Sequence, residues 1–151
     1  MYTIEEEAIH YMFKALNDQK RKKEDIALAF HSVSVAAMLL EEGCSKEIVL
    51  SGLLHDVIED SDWTFEMLEE EGFAPEIIEA LRCLTKLSKD EDYEHFMARV
   101  KSNKMAIKVK LCDLTDNLDS SRLANVTEED IKRSRKYARA YSFLKRAISL
   151  L

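Results

Sequence analysis

The sequence predicts an all-α fold, a single-domain helical bundle of seven to eight helices over residues 1–151. Three observations point there. Only 3 Gly and 1 Pro occur in 151 residues, too few turn formers for a sheet with many hairpins. Apolar residues recur at helical spacing along most of the chain. The length suits one domain, and 46% hydrophobic residues suffice to build its core.

The elements follow in order. Ile4, Ala8, Met12 and Leu16, with Ile9 and Phe13 beside them, predict a helix over 3–17. The basic run Lys20-Arg21-Lys22-Lys23 reads as a turn. Ile26, Phe30, Val33, Ala37 and Leu40 mark a second helix over 24–42, and Gly43 stands where a C-terminal cap is expected. Ser45 opens a third helix that runs through Leu50, Leu53 and Leu54 and on across His55, Asp56, Glu59 and Asp60. Thr64 caps a short helix over 65–71 ending at Gly72. Pro75 sits at the favoured first position of a helix over 76–87. After a polar loop, Ser88–Asp92, come helices over 93–101 and 103–120, the second with Met105, Val109, Leu111, Leu114 and Leu118 inward. Thr127 with Asp130 marks the start of the last helix, which runs to about Leu150.

Charge narrows the function. Against 22 basic residues stand 29 acidic ones, a net charge of −7. Nucleic-acid binding depends on a basic field, so nucleic acid is not the expected partner. The N-terminus MYTIEEEAIH is acidic and lacks an apolar signal region. No run approaches the ~20 apolar residues of a membrane span. Cys44, Cys83 and Cys112 are odd in number and form no Cys-x-x-Cys pair, which reads as reduced thiols. The expectation is a cytoplasmic protein with no membrane partner. The oligomeric state is not legible.

The chemistry sits where polar residues interrupt apolar helices. His55 and Asp56 are adjacent, ~100° apart on a helix, and one turn later come Glu59 and Asp60. His31 and Asp113 each lie in another apolar helix. Taken singly, His31 reads as a hydrogen-bonded core histidine, Asp113 as a buried acceptor, and Glu59 and Asp60 as an acidic helix end meeting solvent. Taken together, a His, a His-Asp and a distant Asp point to a divalent metal held by imidazole and carboxylate.

His31, His55-Asp56 and Asp113 resemble the H…HD…D signature of HD-domain metal-dependent phosphohydrolases. The run His55-Asp-Val-Ile-Glu-Asp60, with Leu84-Thr-Lys-Leu87 and Val109-Lys-Leu-Cys-Asp-Leu-Thr-Asp-Asn117, is similar to the RelA/SpoT-type hydrolase branch. That branch removes the 3′-pyrophosphate from guanosine tetra- and pentaphosphate. The resemblance implies that His31, His55, Asp56 and Asp113 hold one divalent ion, manganese first, with iron, cobalt and zinc as alternatives. It implies that Glu59 and Asp60 position or deprotonate the attacking water, Glu59 first. It implies that Asn117 belongs to the nucleoside pocket and that Lys22 and Lys23 lie near base and phosphates. A second ion is not expected, because only His95 lies between the His-Asp pair and the last Asp, and His10 is near the N-terminus.

The match is thinnest at Lys22–Ser32. The basic pair there is Lys-Lys rather than Arg-Lys, which loses the fork of arginine, Glu24 replaces a small residue, Leu28 an aromatic one and Ser32 a proline. His31-Ser32 with Val35-Ala36 also resembles HD-type 5′-nucleotidases. The leading expectation is a stand-alone nucleotide pyrophosphohydrolase. Its alternatives are a nucleotidase or other nucleotide phosphatase on the same site, and a non-catalytic nucleotide-sensing module. Lys20–Lys23 reads as a solvated turn or a phosphate gate, with Lys86, Lys108, Lys110 and Arg122 as further cations. Cys112 reads as a small core residue, and Trp63 and Tyr93 as packing or base-stacking residues.

Overall fold

Helix starts and stops follow the local chemistry of the chain. The computed structural model describes residues 1–17, 28–121 and 123–150. Among them nine helices occur: α1 (Ile4–Leu16), α2 (Leu28–Glu41), α3 (Lys46–Leu54), α4 (Val57–Asp60), α5 (Phe65–Glu70), α6 (Pro75–Leu84), α7 (Tyr93–Lys101), α8 (Lys104–Leu118) and α9 (Glu128–Ser149). The described residues form no strand. Thr3 with Glu6 and Thr127 with Asp130 close reciprocal capping boxes on α1 and α9. Thr64 and Asn103 accept the Met67 and Ala106 amides to cap α5 and α8. Gly43, at φ 75°, ends α2 in the left-handed conformation, with the Cys44 amide donating back to Leu39 and the Gly43 amide to Leu40.

Two boundaries differ from the sequence expectation in ways that matter for the site. The third helix does not run unbroken through residue 60. It stops at Leu54, His55 and Asp56 form a turn, and α4 begins at Val57. The His55 ring takes the Gly52 carbonyl at 2.7 Å, which an uninterrupted helix would give to the Asp56 amide. The helix expected over 76–87 ends at Leu84, and Thr85 is extended at φ −109°, ψ 127°. Residues 24–27, expected to start the second helix, lie outside the described residues.

The face of α2 also differs. Phe30, Val33, Ala37 and Leu40 are exposed, while Ala29, His31, Ser32, Val35, Ala36 and Leu39 are buried. This helix is apolar almost all round, so periodicity alone leaves its inner face open. Small residues decide it: Ala29, Ser32 and Ala36 let neighbouring helices approach. Gly52 on α3 does the same from the other side, since a Cβ there would lie 2.5 Å from Leu39 Cδ1.

The core has two buried clusters. One gathers Val35 and Leu39 of α2, Val100 of α7, Ile107, Val109 and Leu114 of α8, and Leu144 of α9. The other gathers Met12 and Leu16 of α1, Leu50 and Leu54 of α3, Leu68 of α5, and Ile77 and Leu81 of α6. Each fully buried side chain of this size contributes roughly 1.5–3 kcal/mol. That surplus lets the fold carry buried polar groups. Apart from Thr85 and Asp130, they collect where α2, α3 and α8 pack against one another.

Candidate metal centre

Three helices each deliver a polar group to one point. His31 comes from α2, His55 and Asp56 from the turn after α3, and Asp113 from α8. Both rings and Asp113 are nearly sealed, at 3%, 3% and 4% exposure. His31 Nε2 lies 2.8 Å from Asp113 Oδ1 and 3.8 Å from Asp56 Oδ2. His55 Nε2 lies 3.3 Å from Asp56 Oδ2 and 3.6 Å from Asp113 Oδ1. One donor atom each from His31, His55 and Asp56 falls within 4.8 Å of the others.

The arrangement fits a divalent ion. His55 Nε2 is buried and makes no hydrogen bond to any described residue. An orphaned buried nitrogen costs roughly 1–3 kcal/mol unless something satisfies it. Its ring is held by the backbone, Nδ1 donating to the Gly52 carbonyl, so the Nε2 lone pair is presented to the carboxylates. Two imidazole nitrogens and two carboxylates are donors that divalent first-row ions take.

Further contacts hold these groups in place. Asp113 accepts from Lys110 Nζ at 2.7 Å and from Asn117 Nδ2 at 2.8 Å. Asp116, one turn along α8, lies 2.7 Å from His31 Nδ1. Burial opposes ionisation of Asp113, but Lys110, His31 and His55 outweigh it and hold its carboxyl well below the usual range. Burial likewise disfavours the His31 cation. Hydrogen bonds to Asp113 and Asp116, with the charge of Asp56, overcome that and raise its pKa to about 9. His55 is pushed up too, again against burial, by Asp56 and Asp113.

A pH dependence follows. The His31 pKa of about 9 lies above the ordinary 6.5, so its stabilising contribution is complete below pH 6.5 and lost as pH rises through 9. Denaturant unfolding of metal-free protein should therefore show a loss on the order of 3 kcal/mol over that window. Added divalent ion should flatten the profile, because it binds the unprotonated ring. A flat profile without metal would place a neutral ring at His31.

The four groups open onto a cavity of about 380 Å³, whose wall carries Glu59 and Asp60 of α4. Glu59 is raised by burial and by Asp56, with Lys86 and Lys110 opposing. Asp60 is pushed up to about 6 by burial, Asp56 and Glu59. Basic side chains line the other walls: Lys86, Lys110 of α8, and Arg133 and Lys136 of α9, beside Tyr93 and Tyr137. Lys86 reaches the cavity because α6 stops early. Arg99 of α7 donates to the carbonyls of Arg82 and Thr85 at 2.9 and 3.0 Å and to Glu91 at 2.6 Å. Glu91 also accepts the Leu87 amide, and the Arg99 contact holds its carboxyl down at about 2. This clasp replaces the helical bonds that residues 85–87 forgo.

The structure thus brings together His31, His55, Asp56, Asp113, Glu59, Asp60 and Asn117. Asn117 lines the cavity, yet its amide also ties down Asp113. Lys22, Lys23 and the rest of Lys20–Lys23 lie outside the described residues, as does Arg122. Lys110 faces the cavity, whereas Lys108 is not among its lining residues. His10 and His95 are exposed, His95 paired with Glu91. Cys112 is buried, and burial with the Glu42 charge pushes its thiol up to about 12. Trp63 packs on Tyr11 at 4.8 Å between ring centres.

Sequence reading missed Asp116, Arg133, Lys136 and Tyr137. Asp116 had a usable signal, a second carboxylate three residues after Asp113 in a half-apolar helix. The α9 residues had none, because positions 133, 136 and 137 look like any solvated helix face.

The HD domain family model matches residues 8–142. Guanosine-3′,5′-bis(diphosphate) 3′-pyrophosphohydrolase of Aquifex aeolicus is 31% identical over 108 residues, covering 67% of this chain and 15% of its own. The Drosophila melanogaster enzyme of that name, MESH1, is 28% identical over 113 residues, covering 73% of this chain and 63% of its own. The bifunctional (p)ppGpp synthase/hydrolase SpoT of Escherichia coli is 30% identical over 109 residues, which cover 68% of this chain and 16% of SpoT. The chain thus spans about a sixth of the bacterial relatives and under two thirds of the fly protein. A solved structure described as a metazoan ortholog of SpoT that hydrolyses ppGpp superposes with a TM-score of 0.77 at 22% identity, over 99% of this chain and 94% of that one. A family match over most of the chain, carried on this helical fold, makes the protein a member of the HD-domain family.

Proposed function

We propose that the protein is a metal-dependent phosphohydrolase that removes the 3′-pyrophosphate of guanosine tetra- and pentaphosphate. The observation that carries this reading is the orphaned His55 Nε2, aimed with His31, Asp56 and Asp113 at one point beside a cavity that also bears the carboxylates of Glu59, Asp60 and Asp119 and four cations. The names of the relatives supply the substrate. His31, His55, Asp56 and Asp113 are the ligands we assign, and manganese is the ion we assign to their mixed nitrogen and oxygen set.

When bound, such an ion neutralises phosphate charge and lowers the pKa of water. Glu59 accepts the proton of the attacking water, and burial with the Asp56 charge makes it a stronger base than an ordinary carboxylate. Asp60 orients that water. The hydroxyl adds to the phosphorus next to the ribose 3′ oxygen, that P–O bond breaks, and the oxygen takes up a proton. Pyrophosphate leaves, and the nucleotide keeps a 3′-hydroxyl. Lys86, Lys110, Arg133 and Lys136 offset the remaining negative charge of the substrate. We place the reaction in the cytoplasm, a location that the three free thiols fit. No helix among the described residues is long and apolar enough to cross a membrane. We treat residues 1–151 as one functional unit.

A substrate panel tests the reading. Metal-free protein reconstituted with Mn²⁺ should release pyrophosphate from guanosine tetraphosphate. Orthophosphate from nucleoside monophosphates, with no pyrophosphate released, would assign a nucleotidase instead. Nucleotide binding without turnover on Mn²⁺, Fe²⁺, Co²⁺ or Zn²⁺ would assign a sensing module.

A further inference from the structure

We propose that Asp116 is a positioning residue for the metal centre, fixing the tautomer and ring angle of His31; this rests on His31 being a ligand. The two histidines are oriented differently. His55 is set by the backbone, through Nδ1 and the Gly52 carbonyl at 2.7 Å. His31 Nδ1 meets a side chain instead, Asp116 Oδ2 at 2.7 Å. Asp113 and Asp116 lie three apart on α8 and so share a face. They hold the ring from opposite nitrogens, Nε2 toward Asp113 and Nδ1 toward Asp116. A ring that offers its Nε2 lone pair keeps its proton on Nδ1, and a carboxylate acceptor there selects that tautomer. Asp116 is 8% exposed, which keeps water from substituting freely for it. The same contact makes Nε2 a better donor, since a carboxylate partner raises ligand basicity.

Asp116 meets the metal centre through His31 and is absent from the residues lining the cavity. Its effect is therefore read on the metal before any substrate is added. In Asp116→Asn, the amide can present an N–H to Nδ1, favouring the tautomer with its proton on Nε2. Asp116→Ala leaves Nδ1 with no side-chain acceptor from this position.

The test is Mn²⁺ and Zn²⁺ affinity of metal-free protein, by competition with a chelator, alongside circular dichroism. Both variants should bind roughly 10–100-fold more weakly while keeping their helical signal. Affinity within twofold of wild type overturns the proposal. Wild-type protein gives a second readout that needs no variant. In the Zn²⁺-loaded protein, ¹⁵N NMR should show His31 with its proton on Nδ1, and a proton on Nε2 overturns the proposal. Wild type that takes up neither ion removes the ligand role of His31 and the proposal with it. Wild type that binds both ions, with variants that bind equally well, removes the role of Asp116 alone.

Discussion

Asp56→Ala should abolish metal-supported turnover while leaving the fold intact. Asp56 is the most exposed of the four convergent groups, at 18% of its side chain, and sits on the turn between α3 and α4 rather than inside a helix. Its loss removes one of two carboxylates that offset a divalent charge. The reduction should exceed the ~10–100-fold typical of losing an outer partner of a metal ligand. Stability should move little. In metal-free protein Asp56 repels Glu59 and Asp60, whose pKa values it raises, but attracts the rings of His31 and His55, which it also raises. Removing it gives up both effects, which oppose each other, so the metal-free variant should melt near wild type. Calorimetry with and without Mn²⁺, beside a turnover assay, separates the effects. A variant that melts well below wild type without metal would show that Asp56 is needed for folding, and its lost activity would then say nothing about ligation.

The second large effect is expected at Glu59→Gln. General-base catalysis commonly supplies ~10²–10⁴-fold, and the amide keeps the shape while giving up the basic oxygen. The rate constant kcat should fall by that order with metal affinity unchanged. Glu59 faces the cavity from α4, three residues beyond Asp56, with Lys86 and Lys110 close enough to temper its raised pKa. Asp60→Asn is the informative companion. If it costs more than Glu59→Gln, the two roles are exchanged. If Glu59→Gln loses the ion, Glu59 is itself a ligand.

How much of this was legible in the chain depends on the kind of information each residue carries. Helix starts were plain at Thr64, Pro75 and Thr127, because capping is local chemistry. The order His31, His55-Asp56, Asp113 was legible as well, since each is a polar break in an apolar helix. The inner face of α2 was not, because Phe30 and Val33 are as apolar as Val35 and Leu39, and only packing against Gly52 chooses between them. The end of α6 at Leu84 was not, because the clasp that ends it comes from Arg99, fifteen residues on. The cationic wall from α9 was not, because nothing near Arg133 in the sequence records that it lines the same cavity as Asp56.

Convergence of α2, α3 and α8 has a consequence for the unfolded chain. An ion gripped by positions 31, 55–56 and 113 would pin together segments about 25 and about 57 residues apart. It would be a removable cross-link as well as a reagent. Closure entropy grows only as the logarithm of loop length, about 0.6 kcal/mol per doubling. Lengthening the surface connections between these helices would thus alter the effect of the cross-link little, whereas losing one anchor forfeits a closure outright. Metal availability would then govern how long the folded chain survives as well as how fast it works.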